Sequence, residues 1–199
     1  MENLKTLYDR VMYFVDEDWL DVDEHLTLVG SGQIEEINEK SGRPNGYYKF
    51  LNKYCELIKP KQIVELGAAA GISTLLMAVG SPESKIISVD CDPSGWKWMN
   101  REYPNVTKVY GDDLKLEIYP KDVDLSETDF WFFDSLHTQA QLQAELDLYR
   151  QFFKKGAVLA FDDIHINEGM HEVWGNLPYE KLDVSERMHW SGWGLAIIK

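Results

Sequence analysis

The stretch VELGAAAGIST, residues 64–74, decides how the rest of the chain is read. An apolar run ends at Leu66, Gly67 and Gly71 bound a row of alanines, and Ile72, Leu75, Leu76 and Val79 then recur at helical spacing up to Gly80. This is a strand, a tight turn and a helix, in which glycine lets the backbone approach a ligand and the helix start offers free amides. In a dinucleotide loop the second glycine of G-x-G-x-x-G makes room for pyrophosphate, and phosphate needs donors and positive potential. Here Ala69 occupies that position and Glu65 adds a negative charge just ahead of the loop. A carboxylate at the strand end suits the cationic end of a ligand instead, such as an ammonium or a sulfonium.

Downstream the chain alternates. KQIVEL (61–66), KIISVD (85–90), VTKVY (106–110), DFWFFD (129–134) and AVLAFDD (157–163) read as five strands. Between them the pattern predicts a helix from about Pro93 to Glu102 and a short one after Gly111. A further helix opens on the capping pair Thr138 and Gln141, carries Leu142, Leu146, Tyr149 and Phe153 on one face and exits at Gly156. Such alternation implies right-handed crossovers and a mostly parallel sheet covered on both faces, with the ligand at the carboxyl ends of the strands. No clear helix separates KLDVSE from GWGLAIIK, so these segments are expected to pair as an antiparallel hairpin at one edge.

Upstream, Leu4, Leu7, Tyr8, Val11 and Val15 mark an amphipathic helix. The acidic connector DEDWLDVDEHLT (16–27) places Asp21 where a calcium loop needs glycine and Thr27 where it needs a bidentate acid, so it reads as a solvated face. A short helix around Gln33–Glu39 and a break at Gly42, Pro44 and Gly46 follow. Tyr47, Leu51, Tyr54 and Ile58 then mark a helix that stops at Pro60. The expected organisation is a helical extension over residues 1–60, packed on a core over 61–199.

A chain of 199 residues suits one α/β core with some decoration. Its net charge of −14 works against nucleic acid, whose binding draws on Lys and Arg. Cys55 and Cys91 lack metal-ligand spacing and suit a reducing compartment. The N-terminus has no signal-peptide core, and the most apolar stretch, Gly67 to Gly80, falls short of the roughly 20 residues of a membrane helix. The expectation is a cytoplasmic protein acting on a small molecule, with neither nucleic acid nor membrane as partner.

S-adenosylmethionine carries an ammonium and a sulfonium and no phosphate. Asp90 closes the second strand, where a carboxylate can accept from two ribose hydroxyls, and Gly111 and Asp112 close the third, where Asp112 can meet an adenine amino group. With VELGAAAGIST, SVDCD, YGDD, FWFFDSLHT and AFDDIH, the chain from Gln62 to Lys199 resembles the class I S-adenosylmethionine-dependent methyltransferases. It looks most like their small catechol-type and sugar or macrolide O-methyltransferase branch, whose members often hold a divalent metal. The resemblance implies a Rossmann-like, doubly wound α/β sheet of seven strands in the order 3-2-1-4-5-7-6, the last antiparallel. It assigns Glu65 and Gly67 to the methionine end, Asp90 to the ribose and Asp112 to the adenine. Ala68, Gly71, Cys91, Gly111 and Asp134 complete the cofactor set, and Gly46 and Tyr47 close over it. Ala69 in place of the middle glycine is the departure from the usual pattern.

Asp134 ends strand four and Asp162 and Asp163 end strand five, which should be its neighbour. Three oxygen ligands favour a hard ion such as Mg²⁺, which also offsets the repulsion among them. His137 is a candidate general base alongside Asp134, or else fixes its loop. His165 and His171, with Trp174, Trp190 and Trp193, are candidates for the acceptor side or for ordinary packing. The leading reading is methyl transfer to a hydroxyl oxygen of a small molecule. An NAD-dependent oxidoreductase and a non-catalytic S-adenosylmethionine-binding protein stand as alternatives. A serine hydrolase is set aside because Ser135 lacks the G-x-S-x-G elbow. The N-terminal helix can serve as a lid or as the interface of a homo-oligomer.

Overall fold

Strand β1 (Gln62–Leu66) is buried along its whole length, with Ile63 facing one hydrophobic cluster and Val64 and Leu66 the other. The same alternation runs through β4 (Phe130–Phe133), β5 (Val158–Asp162) and β7 (Trp193–Ile197). It follows from the two-residue side-chain period of a strand and requires cover on both faces. The computed structural model describes residues 3–17 and 46–199. The acidic connector from residue 18 on, the helix expected at 33–39 and the break at Gly42 and Pro44 lie outside the described residues.

With β2 (Lys85–Asp90), β3 (Val106–Tyr110) and β6 (Glu180–Asp183), the sheet runs β3-β2-β1-β4-β5-β7-β6. β7 is antiparallel to both of its neighbours, and the other pairings are parallel. The doubly wound order expected from the resemblance holds. A tight return suffices for the last two strands because an antiparallel pair needs no helical crossover.

Helices α1 (Leu4–Glu17), α2 (Gly46–Ile58) and α3 (Ile72–Gly80) cover one face. Leu4, Leu7, Tyr8, Val11 and Val15 are all buried there, as their spacing predicted. Helices α4 (Gln139–Tyr149) and α5 (Glu168–Asn176) contribute to the other cluster. The capping pair is half realised. Thr138 accepts from the Gln141 amide, but the Gln141 side chain reaches Asp113 and Glu145 rather than back to the cap. A short helix, α6 (Ser185–Met188), lies within the β6–β7 return.

The helix expected over 93–102 does not form; the segment is a series of turns. Asp92 Oδ1 accepts from the Ser94 amide and hydroxyl, and Trp96 takes a φ of 61°. The Trp96 and Trp98 amides donate to Ala69 and Ala70 carbonyls at 2.9 and 3.0 Å. Trp96 Nε1 donates to Ser88 Oγ at 2.7 Å. Two of the segment's amides thus go to the glycine loop, while the Gly95 and Met99 amides close turns on Asp92 and Trp96 carbonyls; tertiary contact overrides a weak local preference. Its consequence is a brace behind VELGAAAGIST.

Candidate functional site

Gly67 turns the chain off β1 with a φ of 89°, and a Cβ there would lie 2.0 Å from the Asp134 carbonyl oxygen. Glycine is therefore required by both the backbone angle and the close approach of the β4 exit. Asp90 secures the loop that follows. Its Oδ2 accepts from the Ala68 and Ala69 amides at 3.0 and 2.7 Å, and its Oδ1 from the Asp92 amide at 2.7 Å.

Beyond the strand ends lies a cavity of about 350 Å³. Of the residues expected to hold a cofactor, Gly67, Asp90, Cys91, Gly111, Asp112 and Asp134 line it. Glu65, Ala68 and Gly71 do not. Glu65 is fully buried on the α3 side of β1, where its Oε2 accepts from the hydroxyls of Thr74 and Ser88. Burial pushes its carboxyl up, against the pull of those hydroxyls. Its Oε2 ties β1, β2 and α3 together beneath the loop, while its Oε1 is buried without a hydrogen-bond partner. Ala68 is buried and supplies a backbone amide to Asp90, while Gly71 starts α3. Gly46 and Tyr47 also stand away from this cavity: Tyr47 is buried in the first turn of α2 against Phe132, Trp193 and His189.

Sequence reasoning missed the far wall, formed by Asp113, Ser135, Leu136 and Gln141. Gln141 Nε2 donates to Asp113 Oδ1 at 2.8 Å and to Glu145 Oε1 at 3.0 Å, and Ser135 Oγ donates to the same Glu145 oxygen. Glu145 is 1% exposed. Burial, reinforced by the charge of Asp113, lifts its carboxyl to about 8. An acid raised in the folded state keeps a proton that the unfolded chain releases near its ordinary pKa. Stability is therefore lost as pH climbs from the ordinary glutamate range toward 8. Glu145→Gln is expected to remove this loss and to be more stable than the wild type at pH 9 by roughly 1–3 kcal/mol, with little difference at pH 5. Melting temperatures of both proteins at the two pH values check it; parallel pH profiles would show that Glu145 is charged in the fold.

At the other end of the cavity, Asp134 joins a cluster of carboxylates and imidazoles. His137 Nε2 is 3.2 Å from Asp134 Oδ1, and its Nδ1 is 2.8 Å from Asp163 Oδ2. Burial alone pulls the imidazolium down, but the hydrogen bonds and charges of Asp134 and Asp163 outweigh it and hold His137 at about 10. Burial and the charge of Asp162 push Asp134 up. Burial also raises Asp163, yet bonds from His137, His189 and Ser191 hold it well below the usual range. Consecutive strand residues face opposite sides. Asp163, just past β5, takes a φ of 57°, and this reversal lets Asp162 and Asp163 meet the same partners.

Ligand atoms of Asp134, His137 and Asp162, and of Asp162, Asp163 and His189, lie within 4.8 Å of one another. Asp162 Oδ1 is buried without a hydrogen-bond partner. An orphaned carboxylate oxygen amid further carboxylates is what a divalent cation would satisfy, so the residues present fit one. His189, absent from the sequence reading, reaches the cluster from the β6–β7 return.

The other candidates separate. Trp174 and Trp193 are core residues, whereas Trp190 is 76% exposed. His165 Nε2 pairs with Asp183 at 2.6 Å, and its Nδ1 lies 3.0 Å from His171 Nδ1, so both histidines belong to a surface group beside β6. Among the described residues no helix is long and apolar enough to cross a membrane.

Residues 64–164 match the family described as a methyltransferase domain. No curated protein matches the sequence. The fold is that of a candidate caffeoyl-CoA O-methyltransferase from Staphylococcus aureus, at 14% identity and a TM-score of 0.65 over 96% of this chain and 99% of that one. A Geobacter sulfurreducens methyltransferase shares 16% identity with a TM-score of 0.61, covering 96% of this chain and 98% of its own. An SAH-bound Podospora anserina methyltransferase shares 12% with a TM-score of 0.58, covering 100% and 98%. At such identities the likeness is one of fold.

Proposed function

We propose that this chain, which belongs to the methyltransferase-domain family, transfers a methyl group from S-adenosylmethionine to a hydroxyl oxygen of a small molecule, with help from a divalent ion. One observation carries the reading: Asp134 both lines the cavity beyond β1, β2 and β3 and belongs to the carboxylate–imidazole cluster beyond β4 and β5. A cofactor in the cavity and an acceptor at the cluster would then meet across a single side chain. The SAH-bound state of the Podospora relative supports the choice of cofactor.

In this reading Asp90 takes the ribose hydroxyls while holding the loop amides, and Asp112 faces the adenine. The acceptor oxygen attacks the methyl carbon, the carbon–sulfur bond breaks, and its electron pair returns to sulfur as the neutral thioether. The hydroxyl proton passes to His137. A divalent ion held by Asp134, Asp162 and Asp163 would supply acidity to the acceptor hydroxyl and offset the carboxylate charge that keeps His137 protonated. Alignment of oxygen, carbon and sulfur is the main contribution of the fold. The net charge of −14 favours uncharged or cationic acceptors.

The test is incubation with methyl-labelled S-adenosylmethionine and fractions of hydroxylated metabolites. Label in a product ether, lost in EDTA and restored by a divalent ion, is the expected result. Cofactor binding without transfer to any fraction would leave a binding protein. A thermal shift with NADH and none with S-adenosylmethionine would return the oxidoreductase reading.

A further inference from the structure

His189 meets Asp163 at Oδ1, whereas His137 meets it at Oδ2. The His189 side chain is 14% exposed, and its Nδ1 lies 3.2 Å from Asp162 Oδ1 and 3.2 Å from Asp163 Oδ1. The Tyr47 ring packs edge-on against it with centroids 5.5 Å apart. Ser191 Oγ stands 2.8 Å from the same Nδ1 and also bonds Asp163 Oδ1. The imidazole is thus held from α2 on one side and from the β6–β7 return on the other. The atom it presents faces oxygen on every described contact.

The spacing is informative. Two donors at right angles on one ion, with bonds of about 2.1 Å, lie roughly 3.0 Å apart. The distances from His189 Nδ1 to the two carboxylates are close to that. The Asp162 oxygen concerned is the buried one that lacks a hydrogen bond. His137 differs in kind, since both of its ring nitrogens are engaged by carboxylates, one to Asp134 and one to Asp163. It bridges the carboxylates, whereas His189 points one nitrogen into them.

We propose that His189 is a nitrogen ligand of the divalent-ion centre, and that with Asp162 and Asp163 it makes a mixed donor set selecting a first-row transition ion such as Mn²⁺ or Co²⁺ over Mg²⁺. Mg²⁺ keeps to oxygen and water, whereas imidazole nitrogen is a good ligand for the first-row ions, whose affinities also rise along the series. The inference rests on the metal part of the proposed function and changes the identity of the ion, which three carboxylates alone had suggested to be Mg²⁺.

The test needs neither acceptor nor turnover. Wild type, His189→Ala and His189→Asn are titrated calorimetrically with Mn²⁺, Co²⁺ and Mg²⁺, with circular dichroism confirming that each variant is folded. The wild type should bind Co²⁺ and Mn²⁺ at least about 10-fold tighter than Mg²⁺. Both variants should lose about 10- to 100-fold for Co²⁺ and no more than about threefold for Mg²⁺. Electron spin echo modulation of bound Mn²⁺ should show imidazole nitrogen in the wild type and in His137→Gln, and none in His189→Asn. Equal losses for all three ions, unchanged Co²⁺ affinity, or nitrogen modulation surviving in His189→Asn overturns the assignment and leaves the metal centre standing. Failure of the wild type to bind any divalent ion removes both.

Discussion

His137→Gln lowers turnover by about 10²- to 10⁴-fold while leaving the affinity for S-adenosylmethionine within about twofold: this is the expected result for a general base that does not touch the cofactor. His137 sits between Asp134 and Asp163 and is held at about 10 by them, after burial has pulled the other way. As an imidazolium it cannot take a proton. Its role as base therefore requires the carboxylate charge to be offset, and the same offset is what a divalent ion bound there supplies. Glutamine keeps a polar side chain of similar reach but has no basic nitrogen, so activity should not recover at any pH. Kinetics over a range of pH, with cofactor affinity measured in parallel, check the prediction. A variant with wild-type turnover would reduce His137 to a bridge between two aspartates.

Asp90→Ala is expected to weaken S-adenosylmethionine binding by about 100-fold. The carboxylate already accepts the Ala68, Ala69 and Asp92 amides, so its removal frees the loop as well as deleting the proposed ribose contact. Two charge-assisted hydrogen bonds at about 1.5 kcal/mol each come to about 3 kcal/mol, and 1.4 kcal/mol is a tenfold change. Asp90→Asn separates the two effects, because its remaining oxygen can still accept an amide and should restore part of the affinity. Calorimetry on the three proteins decides it. An Asp90→Ala protein that binds as tightly as the wild type would place the ribose elsewhere.

The expectations that held rest on local signals, except the strand order, which came from the family resemblance. The glycine loop between an apolar run and a helical stripe marked the first βα unit, and the alternation after it marked the rest of the sheet. The N-terminal helix was visible in the spacing of Leu4, Leu7, Tyr8, Val11 and Val15, and the closing hairpin in the absence of a helix long enough to cross over. The expectations that failed or were missed depend on what lies opposite a residue. Residues 93–102 have only a weak helical preference, and the Ala69 and Ala70 carbonyls draw away the Trp96 and Trp98 amides. No sequence signal pointed to His189 or Glu145, because the residues that make them notable are far along the chain.

The sequence by itself determined the strand-turn-helix loop, the order of alternating elements and the acids that close β2, β3, β4 and β5. These follow from side-chain period and turn chemistry, which act over a few residues. Only the tertiary structure decided how those carboxylates meet and which imidazoles join them. The φ of 57° at Asp163 and the antiparallel return through β7 bring Asp162, Asp163 and His189 to one point. Their proximity is set by strand pairing and by the packing of Tyr47 and Trp193 beneath them. Those are long-range contacts, and their geometry is a property of the packed sheet as a whole.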